Sequence, residues 1–422
     1  MAGRGCPTEC AYALWSTKLR LWRQQRRGQS HRIISGAPMP RHLSLVLLLT
    51  LLLGACARQT KDYSRPLPPG AIALEEVPYH QWPSFSVANL DRRAFLKGIE
   101  HSLTYLRAPS AAQHFPVAGV SQDQVERGLR RFRDLLLSGA SDSEIRQVLR
   151  NEFRVYRSVG WDGSGEVLFT GYYTPIFEAR TSPDARFRYP VYRRPDDLIP
   201  GATHTTIAQQ RLPDGRTRPY PSAGELRRSG ALRGRELVWF ADPFDAYIVV
   251  VQGSAKLRVE GGRELEIGYA GTNGHAYRAI GRDLVAEGRL KPDQLNLSSM
   301  RRFFRENPDQ VWNYIDRNPR IVFFQEAPGG PFGSLGQPVT TDVSIATDKA
   351  IFPRAALTFV TTQTPDPRNR PIPYAAFRLD QDTGGAIQAP GRADLYMGVG
   401  ETAEQRAGHQ LYEGFLYYLV AR

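Results

Sequence analysis

Cysteine is nearly missing from this chain. The 422 residues include three, at Cys6, Cys10 and Cys56, and everything after residue 56 has none. The body of the protein therefore has no disulfide framework, thiol nucleophile or cysteine metal site. Long apolar runs are missing too. The longest is the stretch 43–55, LSLVLLLTLLLGA, whereas crossing a bilayer takes about 20 residues, so a polytopic membrane protein is excluded. After residue 56 the histidines are His80, His101, His114, His204, His275 and His409, with no HExxH and no close pair. No metal or other cofactor is expected. No serine stands in a Gly-x-Ser-x-Gly elbow, because Gly253-Ser254 continues as Ala-Lys, which argues against a serine hydrolase. A phosphate-cradling Gly-Lys-Ser/Thr loop and an RNA-binding aromatic signature are absent as well, so nucleic acid is not an expected partner.

What is present is globular: 41% hydrophobic and 23% charged residues, with 38 glycines and 31 prolines. That composition favours a turn-rich β protein with some helices, and the length accommodates two domains. Met39 opens MPRHLSLVLLLTLLLGAC, a short basic region, an apolar stretch and small residues before Cys56. This is the layout of a bacterial lipoprotein signal whose cysteine becomes the acylated N-terminus. The expectation is that residues 1–38 are an upstream extension, 39–55 the signal peptide and 56–75 a tether. Ala57, not aspartate, follows the cysteine, as in lipoproteins sorted to the outer membrane. Residues 1–55 hold eight Lys/Arg against one acid, so much of the +13 net charge leaves with them. The modest basic excess that remains suits an anionic polymer or a lipid surface.

Along the rest of the chain, Ser121 with Gln124 and Ser141 with Glu144 form capping boxes ahead of helical stripes (Val125, Leu129, Phe132, Leu136; Ile145, Val148, Leu149, Phe153). From Val167 the pattern turns to strands: VLFTGYYTPIFEA, FRYPVYRRP, then several β segments across 237–271 with Gly261-Gly262 as a hairpin turn. Shorter helices are expected at 281–289 and 297–317. After a Gly/Pro-rich break at 328–338, strands resume to the C-terminus. β structure interrupted by a long insert and then renewed suggests a discontinuous first domain.

Three clusters carry chemical potential. The first is Asp380-Gln381-Asp382-Thr383-Gly384-Gly385 followed by Gly391-Arg392-Ala393-Asp394-Leu395-Tyr396. Glycines allow a close approach to backbone, and an aspartate in a cleft with aromatic walls can hold a proton by desolvation. The plainer alternative is that these aspartates satisfy backbone amides around a glycine turn. The second is Phe169-Thr170-Gly171-Tyr172-Tyr173-Thr174-Pro175. The two tyrosines alternate across a strand, so one can be core while the other stacks on a sugar with Thr174 beside it. The third joins Gln252 and Ser254, read as one strand face, to Tyr269 and Asn273 in GYAGTNG. Such amide and hydroxyl groups suit an amino sugar, although Gly and Asn also simply make turns.

With these motifs assembled, the chain resembles the membrane-bound lytic murein transglycosylase A family from about Trp82 to the C-terminus. The carrying segments are FTGYYTP, DPFDAYIVVVQGSA, IGYAGTNGHAYRAIG, NPRIVFF, GSLGQPVTTDVSIATDKAIFPR and QDTGGAIQAPGRADLYMGVG. The resemblance implies a mainly β fold with accessory helices: a double-psi β-barrel domain (76–175 and 327–422) interrupted by a β-rich insert domain (176–326), with a groove between them. It implies cleavage of the β-1,4 bond between N-acetylmuramic acid and N-acetylglucosamine in peptidoglycan, leaving 1,6-anhydromuramoyl ends. The family's catalytic aspartate falls on Asp394, with Asp382 and Asp348 in support. Tyr172, Tyr173, Thr174, Gln252, Ser254, Tyr269 and Asn273 become substrate-binding candidates. The implied partners are glycan strands, outer-membrane lipid through acylated Cys56, and other cell-wall enzymes, at the periplasmic face of the outer membrane. One departure is Ala255 where glycine is expected, which puts the width of the groove in question. The rivals are a hydrolytic glycosidase and a non-catalytic wall-binding lipoprotein.

The export reading makes a direct prediction. Radiolabelled fatty acid should be incorporated into the wild-type chain and not into Cys56→Ala; equal labelling of both would contradict it.

Overall fold

In the computed structural model, residues 61–202 and 206–422 are described; the apolar run 43–55 and Cys56 lie outside them. Both expected capping boxes form. The Ser121 hydroxyl accepts from the Gln124 amide while the Gln124 side chain accepts from the Ser121 amide, and Ser141 and Glu144 do the same. They open α2 (Gln122–Leu137) and α3 (Asp142–Glu152). A further helix precedes them, α1 (Arg92–Arg107), capped by Asp91 accepting from the Ala94 amide. Its Phe95, Ile99, Leu103 and Leu106 stripe is buried, as helical spacing requires. The remaining helices are α4 (Ala223–Ser229), α5 (Pro243–Gln252), α6 (Ile280–Ala286), α7 (Leu297–Glu306), α8 (Val311–Ile315) and α9 (Glu401–His409).

The strands are β1 (Leu74–Glu76), β2 (Phe153–Ser158), β3 (Val167–Thr174), β4 (Ile176–Glu178), β5 (Tyr189–Tyr192), β6 (Leu198–Ile199), β7 (Gln209–Arg211), β8 (Thr217–Pro219) and β9 (Glu236–Phe240). They continue as β10 (Ser254–Arg258), β11 (Glu264–Thr272), β12 (Val322–Glu326), β13 (Ser344–Ala346), β14 (Leu357–Pro365), β15 (Pro371–Asp382), β16 (Arg392–Val399) and β17 (Leu411–Ala421). Eight of them make one mixed sheet in the order β1-β2-β17-β14-β15-β13-β16-β3, with β17 also pairing β3. At the crossing of β17 from β14 towards β3, Gly414 is required. A Cβ there would stand 2.0 Å from the Thr361 carbonyl oxygen.

These pairings correct the expected fold class. Helix and strand take nearly equal shares of the described chain, so it is not mainly β. The ladder is that of one eight-stranded mixed sheet with one extra pairing, which does not define the double-psi β-barrel that was expected. Helices α1–α3 are part of the reason. Their apolar faces bury the sheet through an aromatic core in which Phe132 lies 4.6 Å from Phe377 and Phe85 lies 4.9 Å from Phe359, centroid to centroid. Such contacts add to the area term that holds two layers together.

The segment after β3 is mixed as well. It contains a four-stranded sheet (β12-β11-β10-β4), two smaller sheets (β5-β9 and β6-β7-β8) and helices α4–α8. Gly261 and Gly262, both with positive φ, turn β10 into β11 as expected. The reading of 243–252 as strand is overturned, since it is helix α5. Asp242 accepts from the Phe244 amide, Pro243 occupies the first turn and Gly253 closes the helix in the left-handed region. These stop signals and burial on two sides outweigh the β preference of Ile248, Val249, Val250 and Val251. Ala246 and Val249 face one apolar cluster while Phe244, Tyr247 and Ile248 face another. Among the described residues no helix is long and apolar enough to cross a membrane.

Candidate active site

The site grows from two neighbouring parallel strands. β16 pairs with β3 so that Asp394 lies opposite Thr170 and Tyr396 opposite Tyr172. Side chains alternate along a strand, so Phe169, Tyr173, Ala393, Leu395 and Met397 enter the core while Thr170, Tyr172, Arg392, Asp394 and Tyr396 share the other face. There the Thr170 hydroxyl donates to Asp394 Oδ1. The Arg392 guanidinium stands 3.5 Å from the same oxygen and donates to Thr170 Oγ1 at 3.2 Å. The Tyr172 and Tyr396 rings meet at 5.0 Å. The Asp394 side chain retains 14% of its exposure, enough for a ligand to reach it.

Asp382 and Asp348 are held differently. Asp382 Oδ1 accepts from the amides of Ser334 and Thr383, both at 2.8 Å. Asp348 accepts from the amide of Ala350 through one oxygen and that of Ala389 through the other, each at 3.0 Å. Both carboxylates thus brace backbone around the glycine turn, and Ala389 itself sits at a φ of 68°. Gly385 in that turn packs on an arginine: a Cβ there would stand 2.7 Å from Arg320 Nε. Beneath the turn, a buried network fixes the end of β15. Lys349 pairs with Asp380, which also accepts from Thr347 at 2.7 Å and from the Tyr418 hydroxyl at 2.8 Å. Burial lowers the Lys349 ammonium against the pull of Asp380.

The substrate-binding candidates divide. Tyr172 is half-buried; its hydroxyl is enclosed beside Asp382 without a well-formed hydrogen bond. Tyr173 is a core residue. Thr174 is buried and its hydroxyl lies 2.9 Å from that of Tyr396 and 3.4 Å from that of Ser254, itself buried. Gln252 ends α5 and Ser254 begins β10, so the two do not share a strand face. The Gln252 side-chain oxygen accepts from the Tyr173 amide at 3.2 Å. Asn273 is fully buried and spent on backbone: it donates to Pro221 and Pro319 carbonyls at 3.1 and 2.8 Å and accepts from the Ile321 amide at 3.0 Å. Only Tyr269 is open, 48% exposed. Ala255 is buried in the apolar cluster around β10, so its methyl group fills core. Arg392, Thr170 and Tyr277 escaped the sequence reading. The half-buried Tyr277 phenol is raised by burial and feels the charges of Arg392 and Asp394. The strand alternation that selects Asp394 also selects Thr170 and Arg392; for Tyr277 only the tertiary fold supplies the signal. Among the described residues no cluster of His, Cys, Asp or Glu is arranged to hold a metal ion.

Comparison with known proteins decides the family. The MltA specific insert domain matches residues 168–325 and the 3D domain residues 343–420. The membrane-bound lytic murein transglycosylase A of Escherichia coli K12 is 31% identical over 293 residues, 68% of this chain and 74% of the relative. The chain belongs to the membrane-bound lytic murein transglycosylase A family. Its Vibrio cholerae relative of the same name is 32% identical over 265 residues, 62% of this chain and 67% of that one. The crystal structure of the membrane-bound lytic murein transglycosylase from Agrobacterium tumefaciens superposes with a TM-score of 0.69 at 26% identity, covering 83% of this chain and 98% of that one. Escherichia coli MltA with bound chitohexaose shares the fold, with a TM-score of 0.66 at 23% identity over 86% of this chain and 96% of that one. Within the family frame, Asp348, Asp382 and Asp394 all fall in the 3D domain match, and Tyr172, Gln252 and Tyr269 fall in the insert match.

The Asp382 carboxyl titrates above the ordinary carboxylate range. Burial pushes it up to about 6, against the pull of the Thr383 and Ser334 amides, Tyr172 and Lys349. A carboxyl raised in the folded state binds its proton more tightly than in the unfolded chain. Its contribution therefore favours folding most below about pH 4 and fades as pH climbs through about 6. Asp382→Asn cannot ionise and should escape this loss. In thermal unfolding, its melting temperature relative to wild type should rise between pH 4.5 and 7; a difference that does not change with pH would contradict the assignment.

Proposed function

We propose that this chain is a lytic transglycosylase that cleaves the β-1,4 bond between N-acetylmuramic acid and N-acetylglucosamine in peptidoglycan, with Asp394 as its single acid and base. Membership of the family supports the general activity, that of a lyase acting on cell-wall glycan. The observation that carries the finer reading is the contrast among the three aspartates. Asp382 and Asp348 are committed to backbone amides, whereas Asp394 is bonded by side chains, Thr170 and Arg392, on a face that keeps partial exposure.

One such carboxyl group suffices if the substrate supplies its own nucleophile. Thr170 engages Oδ1, which leaves Oδ2 to carry the proton. Neutral Asp394 gives that proton to the departing N-acetylglucosamine oxygen. The carboxylate then takes the proton of the muramoyl 6-hydroxyl as that oxygen closes on the anomeric carbon, forming the 1,6-anhydro ring. Ordinary retaining and inverting glycosidases need a second carboxylate as nucleophile or base. An intramolecular hydroxyl also avoids the entropy of capturing water. Arg392, beside the carboxylate, stabilises it between the two proton transfers. Tyr269 is the candidate open to a glycan strand, while Tyr172 and Gln252 keep only partial exposure. The enzyme would be held at the periplasmic face of the outer membrane by acylated Cys56, a reading supported by the Leu53-Gly54-Ala55-Cys56 sequence.

Substitution separates the roles. Asp394→Asn keeps size and hydrogen bonding but cannot cycle a proton, so release of muropeptides from purified sacculi should fall by at least about 10²-fold, with chitohexaose affinity retained. Asp382→Asn should lose far less. A folded Asp394→Asn enzyme with near-wild-type turnover, or abolition by Asp382→Asn alone, would refute the assignment.

A further inference from the structure

Away from the acid/base cluster, β17 changes character halfway along one face. Tyr417, Leu419 and Ala421 are buried there, and α2 lies against their backbone: a Cβ on Gly128 would stand 3.6 Å from the Ala421 nitrogen and 3.7 Å from the Leu419 oxygen. Strand alternation puts Leu411, Glu413 and Phe415 on the same face, but these three are open, Leu411 at 65% exposure and Phe415 at 37%. An open groove of about 770 Å³ runs beside them, bordered by Tyr63, Leu168 and Thr361. The acid between the two apolar side chains is neutralised. Glu413 pairs with Lys61 and accepts from the Tyr63 hydroxyl. Lys61 reaches Glu166 as well, at 2.8 Å. The Tyr63 ring meets that of Trp161 at 6.0 Å. A Cβ on Gly391, the residue before β16, would stand 3.0 Å from the Tyr63 carbonyl oxygen.

These contacts fasten residues 61–63 to the rim of the apolar face. Residues 57–60 separate Lys61 from Cys56, and so short a stretch spans at most about 18 Å. A bilayer that holds a lipid on Cys56 is therefore within reach of the fastened arm, and the apolar surface beside that arm is Leu411 and Phe415. Neutralising the acid between them removes the charge that would keep such a face in water. Tyr63, a ring with one polar end, is of the kind enriched at the boundary between membrane and water. Here β17 is paired with β3 and β14, so the face offers side chains and no free strand edge. We propose that the Leu411–Phe415 face of β17 is a membrane-contact surface, seated on the leaflet that carries the Cys56 lipid. The inference rests on the acylation of Cys56 and adds an orientation to it. Leu411 lies opposite Thr170, and Thr170 opposite Asp394. With strands about 4.8 Å apart, the strand that carries Asp394 lies about 10 Å from the contact, which holds the site beside the membrane.

The test uses the acylated chain purified from cells, on vesicles of phosphatidylethanolamine and phosphatidylglycerol. After residue 56 the chain has no cysteine, so Leu411→Cys, Phe415→Cys and a control on α4 of the insert, Ser229→Cys, each take a single environment-sensitive fluorophore. All three positions are exposed, so the fold tolerates the changes. Bromine on the lipid acyl chains should lower emission from 411 and 415 at least about twofold, since an interfacial apolar group sits roughly 5–10 Å into the boundary of headgroups and acyl chains. Emission from 229 should not change. Unquenched labels at 411 and 415, on chains that float with the vesicles, would overturn the contact surface and leave the anchor standing. Energy transfer between labelled copies without quenching would overturn it in favour of a second copy of this chain. Equal quenching at all three positions would overturn it too. Chains that fail to float would overturn the acylation reading and the surface with it.

Discussion

The parallel pairing of β3 with β16 is the constraint from which the site follows. In register, Thr170 meets Asp394 and Tyr172 meets Tyr396, and the two-residue period of a strand sends Phe169, Tyr173, Ala393 and Leu395 into the core. A slip of one residue in either strand would exchange the two faces, burying the carboxylate and exposing the apolar side chains. The hydrophobic core thus fixes the orientation of Asp394. The strand pairing also explains why helices α1–α3 matter to chemistry without touching it. They pack on β2, β14, β15 and β17 of the same sheet, and Gln381, one residue before Asp382, reaches the Gly98 carbonyl of α1 at 2.7 Å and the Ser102 hydroxyl at 2.9 Å.

The three aspartates show how one residue type takes separate roles by environment. Carboxylates that accept backbone amides are committed to holding a turn, and Asp382 and Asp348 do this on either side of Gly384-Gly385. The turn must admit Arg320 closely, and glycine at 385 is what permits it. Asp394 accepts from the Thr170 hydroxyl and lies 3.5 Å from the Arg392 guanidinium, side-chain groups that can rearrange around a substrate. In the proposed mechanism this difference in partners, more than any difference in sequence spacing, separates the two bracing acids from the one assigned to proton transfer.

Much of this was legible in the chain itself. The capping boxes at Ser121 and Ser141 carry their own stop and start signals, and they form as read. The glycine turn was marked as the densest chemical signal and the tyrosine pair as the second, and the fold brings Tyr172 beside Asp382 and Tyr396. Of the pair, the alternation argument leaves one ring in the core, and that ring is Tyr173. Residues 243–252 were misread because four consecutive β-branched or aliphatic side chains look like a strand when burial on two sides is not known. The same misreading put Gln252 and Ser254 on one face, although a helix ends between them. Asn273 looked like a sugar ligand because a polar residue between glycines gives no sign of being fully buried and spent on three backbone groups. The share of helix was underestimated for a related reason. α1 is marked by a single cap at Asp91, and α4, though Ser222 and Glu225 form a capping box, is only seven residues long, so neither carries much weight until the surface it covers is seen.

The central claim is that a substrate hydroxyl, and no water molecule, completes the reaction that Asp394 begins. Digestion of purified sacculi in water enriched in heavy oxygen, followed by mass spectrometry of the released muropeptides, tests it directly. The account predicts anhydromuramoyl ends with no heavy oxygen at the anomeric carbon. Reducing muramoyl ends that carry the label would contradict it and assign the chain to hydrolysis.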